Sequence, residues 1–268
     1  MTTSAKIYKT EAIVLKHVPL GEADYLLTLY SPTKGKIRAI ARGARRVKSK
    51  VGGHLEPLMR TSFLIAAGRS LDAVSQAEVL EGFRLVREDL QRLTQALYMA
   101  ELVDAITPDE EASYPVYRLL LDSLRYLAGD PPPSLMPYFQ LHLLDYSGFR
   151  PELYRCTECG STIEPSMHRF SPDRGGTLCL SCRPPEVAVL PLSLDALKVL
   201  RFLLKEDFAR VERLHLERDN LVELERLMGT LIQHVLDREI RTSRFLHNLS
   251  QDRLEKRAGP APGIDIKG

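Results

Sequence analysis

The sequence predicts an α+β protein: a small N-terminal β-barrel, then an all-helical region carrying a cysteine-bearing insertion. Three observations predict it. Short, partly alternating apolar runs fill the first 80 residues, and leucines at helical spacing take over after residue 82. All four cysteines fall in two C-x-x-C pairs between residues 156 and 182. At 268 residues, 44% hydrophobic and 27% charged, the chain can bury a sizeable core.

The strands come first. "AIVLKHV" (12–18), "YLLTLYS" (25–31), "KIRAIAR" (36–42), "RTSFLIAA" (60–67) and "LDAVSQAEV" (71–79) are rich in Val, Ile, Leu, Thr and Tyr. Turn residues separate them at "PLGEAD", "SPTKGK", a long basic loop over 43–54, and "AGRS". Five short strands with no helix between them suggest a closed barrel. The five-stranded OB-fold, which commonly binds oligonucleotides, is the economical choice, though other five-stranded barrels share the pattern.

Helices follow. Residues 83–106 read as one helix with Leu85, Leu90, Leu93, Leu97 and Leu102 on its apolar stripe. Residues 114–129 and 134–148 read likewise, with Ser134 as N-cap and Gly148 as terminator. Residues 193–205, capped by Ser193, and 220–240 complete the set. The periodicity is lost at Gly259 and Pro260, and the tail is expected to be disordered. The expected division is a barrel over 1–81, a helical domain over 82–153 and 188–248, an insertion over 154–187, and a tail over 249–268.

Each cysteine pair offers two thiolates to one point, and Cys156, Cys159, Cys179 and Cys182 together supply the four ligands a tetrahedral Zn²⁺ prefers. With every position filled by protein, such a zinc would be structural. Gly160 follows the second ligand, where a turn can aim backbone N–H groups at sulfur, and His168 lies between the pairs as a substitute ligand. A redox dithiol lacks its βαβ context, disulfides do not suit a cytosolic chain, and an iron–sulfur cluster also accepts four thiolates. Zinc is the expectation.

Charge is uneven. The first 80 residues hold 13 Lys and Arg against 6 Asp and Glu, a net of +7, and the remaining 188 hold 24 against 29, a net of −5. Between Thr33 and Leu55 every charge is positive: Lys34, Lys36, Arg38, Arg42, Arg45, Arg46, Lys48 and Lys50. On a strand, Lys36, Arg38 and Arg42 share one face, which Arg45 and Arg46 prolong into the loop. Such a row tracks a phosphate backbone and releases condensed counterions. Tyr25 and Tyr30 either stack on bases or fill the core. Gly43, Lys48 and Ser49 imitate a nucleotide-binding loop, but Val47 replaces the second glycine and "SKVGGHLEP" does not start a helix.

No signal-peptide pattern and no apolar run of membrane-spanning length is present, so a cytoplasmic protein without a membrane partner is expected. Neither H-E-x-x-H nor G-x-S-x-G occurs, and the acidic run at 109–112 reads as a solvated inter-helix loop, so no catalysis is expected. A nuclease or hydrolase remains the enzymatic alternative. An RNA-binding or transcription-associated zinc protein would share both barrel and cysteines.

Four segments in order resemble the RecO family of bacterial recombination mediators: residues 11–57, residues 71–83, "YFQLHLLDYSGFRPELYRCTECG" (138–160) and "LIQHVLDREIRTSRFL" (231–246). The resemblance implies an OB-fold domain, a helical bundle and a zinc element that some members lack. It implies binding to single- and double-stranded DNA and annealing of complementary strands without ATP, in a nucleoid-associated setting. Implied partners are RecR, the acidic C-terminal tail of single-stranded DNA-binding protein and, indirectly, the RecA recombinase. By position, the family's DNA-contacting strand and loop fall on Lys36, Arg38, Arg42, Arg45 and Arg46. Arg118 and Arg125 are candidates for the acidic tail, or an ordinary pair of surface arginines.

Overall fold

A computed structural model describes residues 6–182, 184, 188–237 and 242. The tail expected to be disordered and the end of the last expected helix, residues 238–240, lie outside them. Strands β1 (Ile7–Leu20), β2 (Asp24–Ser31), β3 (Gly35–Ala41), β4 (Arg60–Ala66) and β5 (Asp72–Glu81) pair in the order β1-β2-β3-β5-β4, and β4 returns to β1 to close the barrel. All pairings are antiparallel except β3 with β5. This is the expected OB-type arrangement.

Alternation fixes which side chains enter the barrel. On β4, Thr61, Phe63 and Ile65 are buried, while Arg60, Ser62, Leu64 and Ala66 are half-exposed. With Ala12, Val14, Leu27, Leu29, Ile37 and Ala39 they form the barrel core. The outer face of β1 and β2 is also covered. Ile13, Leu15 and Tyr30 point outward but are buried in the helical core. That is why β2 has five successive buried residues at its end, a pattern that a one-sided sheet would not give.

The helices are α1 (Arg84–Glu88), α2 (Leu90–Ile106), α3 (Tyr114–Ala128), α4 (Leu135–Tyr146), α5 (Leu194–Lys205), α6 (Phe208–Val211) and α7 (Arg218–Leu236). The stretch expected as one helix over 83–106 is two. Asp89 leaves the helical conformation and accepts a hydrogen bond from the Arg92 amide, so it caps α2. Ser193 caps α5 as expected. Ser134 does not cap α4. Its backbone is helical, and its hydroxyl donates to the Val211 carbonyl at 3.1 Å, tying α4 to the end of α6. Gly148, at φ +83°, does end α4, with Phe149 N–H reaching back to the Leu144 carbonyl.

Between α4 and α5 stands a sheet of three very short strands, β6 (His168–Ser171), β7 (Gly176–Leu178) and β8 (Leu190–Leu192), in the order β7-β6-β8. Leu153, Ile163, Phe170, Leu178 and Leu192 from this insertion are buried in the helical core. Among the described residues no helix is long and apolar enough to cross a membrane.

Candidate nucleic-acid interface and metal centre

The basic segment leaves the barrel at the end of β3. Arg38 and Arg42 are exposed there, and Arg45, Arg46, Lys48 and Lys50 are exposed along the loop that follows. That loop is pinned rather than free-standing. Gly43 N–H donates to the Asp24 carboxylate at 2.7 Å, Arg45 N–H to the Ala23 carbonyl at 2.9 Å, and Ser49 N–H to the Arg46 carbonyl at 2.9 Å. Ala44 is buried in the barrel core, while Val47 at the apex is fully exposed. A single turn at Gly52–His54 follows, so no helix N-terminus faces the loop as a nucleotide site requires. Lys34 lies over the Tyr8 ring at 4.3 Å. Tyr30 is core, and the half-buried Tyr25 stacks on His17 with ring centroids 4.2 Å apart.

Lys36 departs from the expected row. It lies on the outer face of β3, but α2 ends against it and buries it. Its ammonium donates to the carbonyls of Asp104 and Thr107, both at 2.7 Å, and stands 3.7 Å from the Asp104 carboxylate and 3.2 Å from that of Asp109. Three donors and a full charge are satisfied within the fold, so no capacity remains for a phosphate. Arg38, half-exposed, pairs with Asp109 at 3.2 Å. The acidic run is the expected exposed inter-helix loop, and its backbone lies against β3.

The four cysteine sulfurs converge. All lie within 4.8 Å of one another, Cys159 and Cys179 at 3.9 Å. Thiolates about 2.3 Å from a shared tetrahedral ion stand about 3.8 Å apart, so the set fits one metal ion. All four are free thiols rather than disulfides. The first knuckle turns through Gly160, at φ +72°, whose N–H closes onto the Cys156 carbonyl at 2.8 Å. That hydrogen bond goes to a carbonyl and not to sulfur, but Cys179 N–H approaches the Cys156 sulfur at 3.4 Å. Crowded sulfurs divide their protons. The Ser161 hydroxyl, then neighbouring thiols, hold Cys159 down to about 6, while Cys159 and Cys179 push Cys182 up to about 12. A cation removes this conflict by binding all four as thiolates. His168 is not in the sulfur cluster, and its Nε2 is engaged by the Glu164 carbonyl at 2.8 Å and the Ser166 hydroxyl at 2.9 Å.

The metal element is fixed to the helices as well. Arg201 of α5 donates to the Leu153 carbonyl at 2.7 Å and the Ile163 carbonyl at 2.9 Å, and its guanidinium covers the Tyr154 ring. On another side of the helices a groove of about 670 Å³ is lined by Arg118, Tyr126, Tyr138, Tyr146 and Phe208, among others. Arg118 and Arg125 both border it. Each has a local carboxylate partner, Arg118 with Asp122 at 2.9 Å and Arg125 with Glu81 at 2.7 Å. The sequence signals the two arginines but not the groove, because its aromatic walls come from α3, α4 and α6, 82 residues apart from Tyr126 to Phe208.

Residues 4–83 match the family described as Recombination protein O N terminal, and residues 87–244 match Recombination protein O C terminal. Curated relatives share this span. The DNA repair protein RecO of Roseiflexus sp. strain RS-1 is 38% identical over 247 residues, covering 92% of this chain and 87% of the relative. Those of Dehalococcoides mccartyi and Symbiobacterium thermophilum are 35% and 36% identical, each over 92% of this chain and 98% and 99% of their own. With both halves matched in order and the barrel, helices and cysteine cluster in place, the chain belongs to the RecO family of DNA repair proteins.

Proposed function

We propose that this protein binds single- and double-stranded DNA through the barrel and anneals complementary strands without nucleotide hydrolysis. The observation that carries this reading is the exposed cationic row Arg38, Arg42, Arg45, Arg46, Lys48 and Lys50, on a pinned loop with no acidic residue in the segment. Lys34 extends the row on the neighbouring hairpin. Annealing needs phosphate repulsion between two strands to be neutralised while the bases stay free to pair. A row of surface cations does the first and leaves the second untouched. The chain acts as a binder rather than an enzyme in this reading.

The cysteine cluster holds one Zn²⁺ as a structural ion. Four protein thiolates leave no position for a substrate, and such a site contributes on the order of 10–16 kcal/mol to folding of its segment. The groove beside Arg118 suits the acidic C-terminal tail of single-stranded DNA-binding protein, with the arginines as charge partners at its rim. The same reading includes RecR as a partner and, through it, loading of the RecA recombinase, in a cytoplasmic, nucleoid-associated setting, with membership of the family as its support.

The test is annealing of two labelled complementary oligonucleotides, one coated with single-stranded DNA-binding protein, with no nucleotide added. Annealing should weaken with salt, and binding to one strand should show a log–log salt slope near −3 if about four phosphates are neutralised. Arg38→Ala with Arg42→Ala should flatten that slope and abolish annealing with the fold intact. Unchanged binding by the double variant would remove the interface from β3. A strong preference for RNA over single-stranded DNA would move the protein to the RNA-binding alternative.

A further inference from the structure

The acidic run that the nucleic-acid reading leaves unused, Asp109-Glu110-Glu111, is built into the edge of the interface. Glu110 N–H donates to the Lys36 carbonyl at 2.9 Å, and Lys36 and Asp109 form an isolated parallel bridge, so the α2–α3 loop adds to the outside of β3 by backbone pairing. Gly35 makes this approach possible. A Cβ there would stand 1.9 Å from the Glu111 carbonyl oxygen. Backbone contacts therefore hold the loop, independently of its charges.

Its first carboxylate is thereby set between two cations. Asp109 Oδ1 lies 3.2 Å from the Lys36 ammonium and Oδ2 lies 3.2 Å from the Arg38 guanidinium. Lys36 has other partners. Among the described residues, Asp109 is the ion-pair partner Arg38 has.

We propose that Asp109 is a tethered competitor for the phosphate position at Arg38, which restricts that position to anions belonging to a polymer. The proposal rests on the nucleic-acid reading given above. Arg38 and Asp109 are 56% and 49% exposed, so their pair is solvent-screened and weak enough to exchange. A free small anion must compete with a carboxylate whose effective concentration is set by its own backbone, on the order of millimolar or higher. A strand phosphate whose neighbours are held by Arg42, Arg45 and Arg46 is tethered too, and so competes on equal terms. On displacement Asp109 keeps Lys36 as its partner, so exchange strands no buried charge. Asp109 thus filters single anions from nucleic acid at the cost of some affinity.

The experiment uses full-length protein and a labelled oligo(dT) followed by fluorescence anisotropy across a salt series. It compares wild type, Asp109→Asn, Arg38→Ala and the double variant, with folding checked by circular dichroism. Asp109→Asn should bind about two- to five-fold tighter and steepen the log–log slope by about 0.7. Both gains should vanish in the Arg38→Ala background, and inorganic phosphate should compete better against Asp109→Asn than against wild type. Asp109→Ala, which removes the carboxylate without adding an amide, must behave alike. Wild-type affinity and slope in these variants, or an equal gain without Arg38, overturns the competition. Folded wild type that does not bind oligo(dT) at all overturns the nucleic-acid reading beneath it, a distinguishable result.

Discussion

Arg60 joins three elements through one guanidinium. It pairs with Glu11 of β1 and Glu81 of β5, and its Nε donates to the Tyr117 hydroxyl of α3 at 3.2 Å, while Arg125 of α3 completes the hub by pairing with Glu81. Only about a fifth of the Arg60 side chain is exposed, and removing it leaves the part-buried Glu11 without its cation while Glu81 keeps Arg125. Arg60→Ala should cost about 1–3 kcal/mol of unfolding free energy by denaturant titration, and a loss under 0.5 kcal/mol would make the hub decorative. The hub also sets a pH dependence. Glu81 is held below the usual carboxylate range, first by Arg125 and then, against burial, by Arg60. Its contribution is therefore full above the unfolded value of about 4.3 and is lost as pH falls through the lower folded value. Glu81→Gln should flatten stability against pH in that acid window, and an unchanged acid limb would place the titrating group elsewhere. Lys36 shows why single residues misled from sequence. Its position on the outer face of β3 was legible from alternation, but what lies over that face is the end of α2, 68 residues away, which no local pattern encodes.

At the scale of elements, legibility followed strength of period. The five barrel strands emerged within a few residues because Phe63, Ile65 and their like alternate cleanly and turns punctuate them. The break between α1 and α2 is not legible because Asp89 sits inside an uninterrupted helical stripe and caps α2 through its own extended backbone and a side-chain bond to the Arg92 amide. Strands β6 to β8 were invisible because three or four residues carry no period, and their shape is imposed by neighbouring cysteines and the helical core. The cysteine cluster itself is legible, since two C-x-x-C pairs announce their geometry. Its role can be tested as an element. Cys179→Ser with Cys182→Ser should lower bound metal from one ion per chain to near zero and open residues 156–182 to limited proteolysis. Helical circular dichroism should change little, because the core around Leu120, Phe139, Leu200 and Leu227 is chiefly leucine, with Cys179 and Cys182 only partly buried at its margin. Metal binding should also weaken as pH falls, since each thiolate must lose a proton to serve. A double variant that keeps its metal would show that other ligands hold it.

Among the described residues the barrel and the helices share one core, and that has a consequence for binding. Ile13, Leu15, Tyr30 and Leu58 belong to the barrel by sequence but to the helical core by burial. Lys16 and Lys36 of the barrel close on Asp104 of α2, and the Arg60 hub closes on α3. Separating the two parts would expose these apolar side chains and orphan several charges at once, so partial unfolding is disfavoured. Thermal unfolding should then be a single transition with matching calorimetric and van't Hoff enthalpies. The sharper expectation uses a ligand. An oligonucleotide held on β3 and the 43–50 loop touches no helix, yet at about a hundred times its Kd it should stabilise the native state by about 2.7 kcal/mol. Because the parts melt together, that gain should raise the midpoint read from helical circular dichroism as much as one read from amide hydrogen exchange of the barrel strands. A helical transition that stays fixed while the barrel is saturated would show that the junction transmits nothing, and the two parts would then have to be treated as separate binders on one chain.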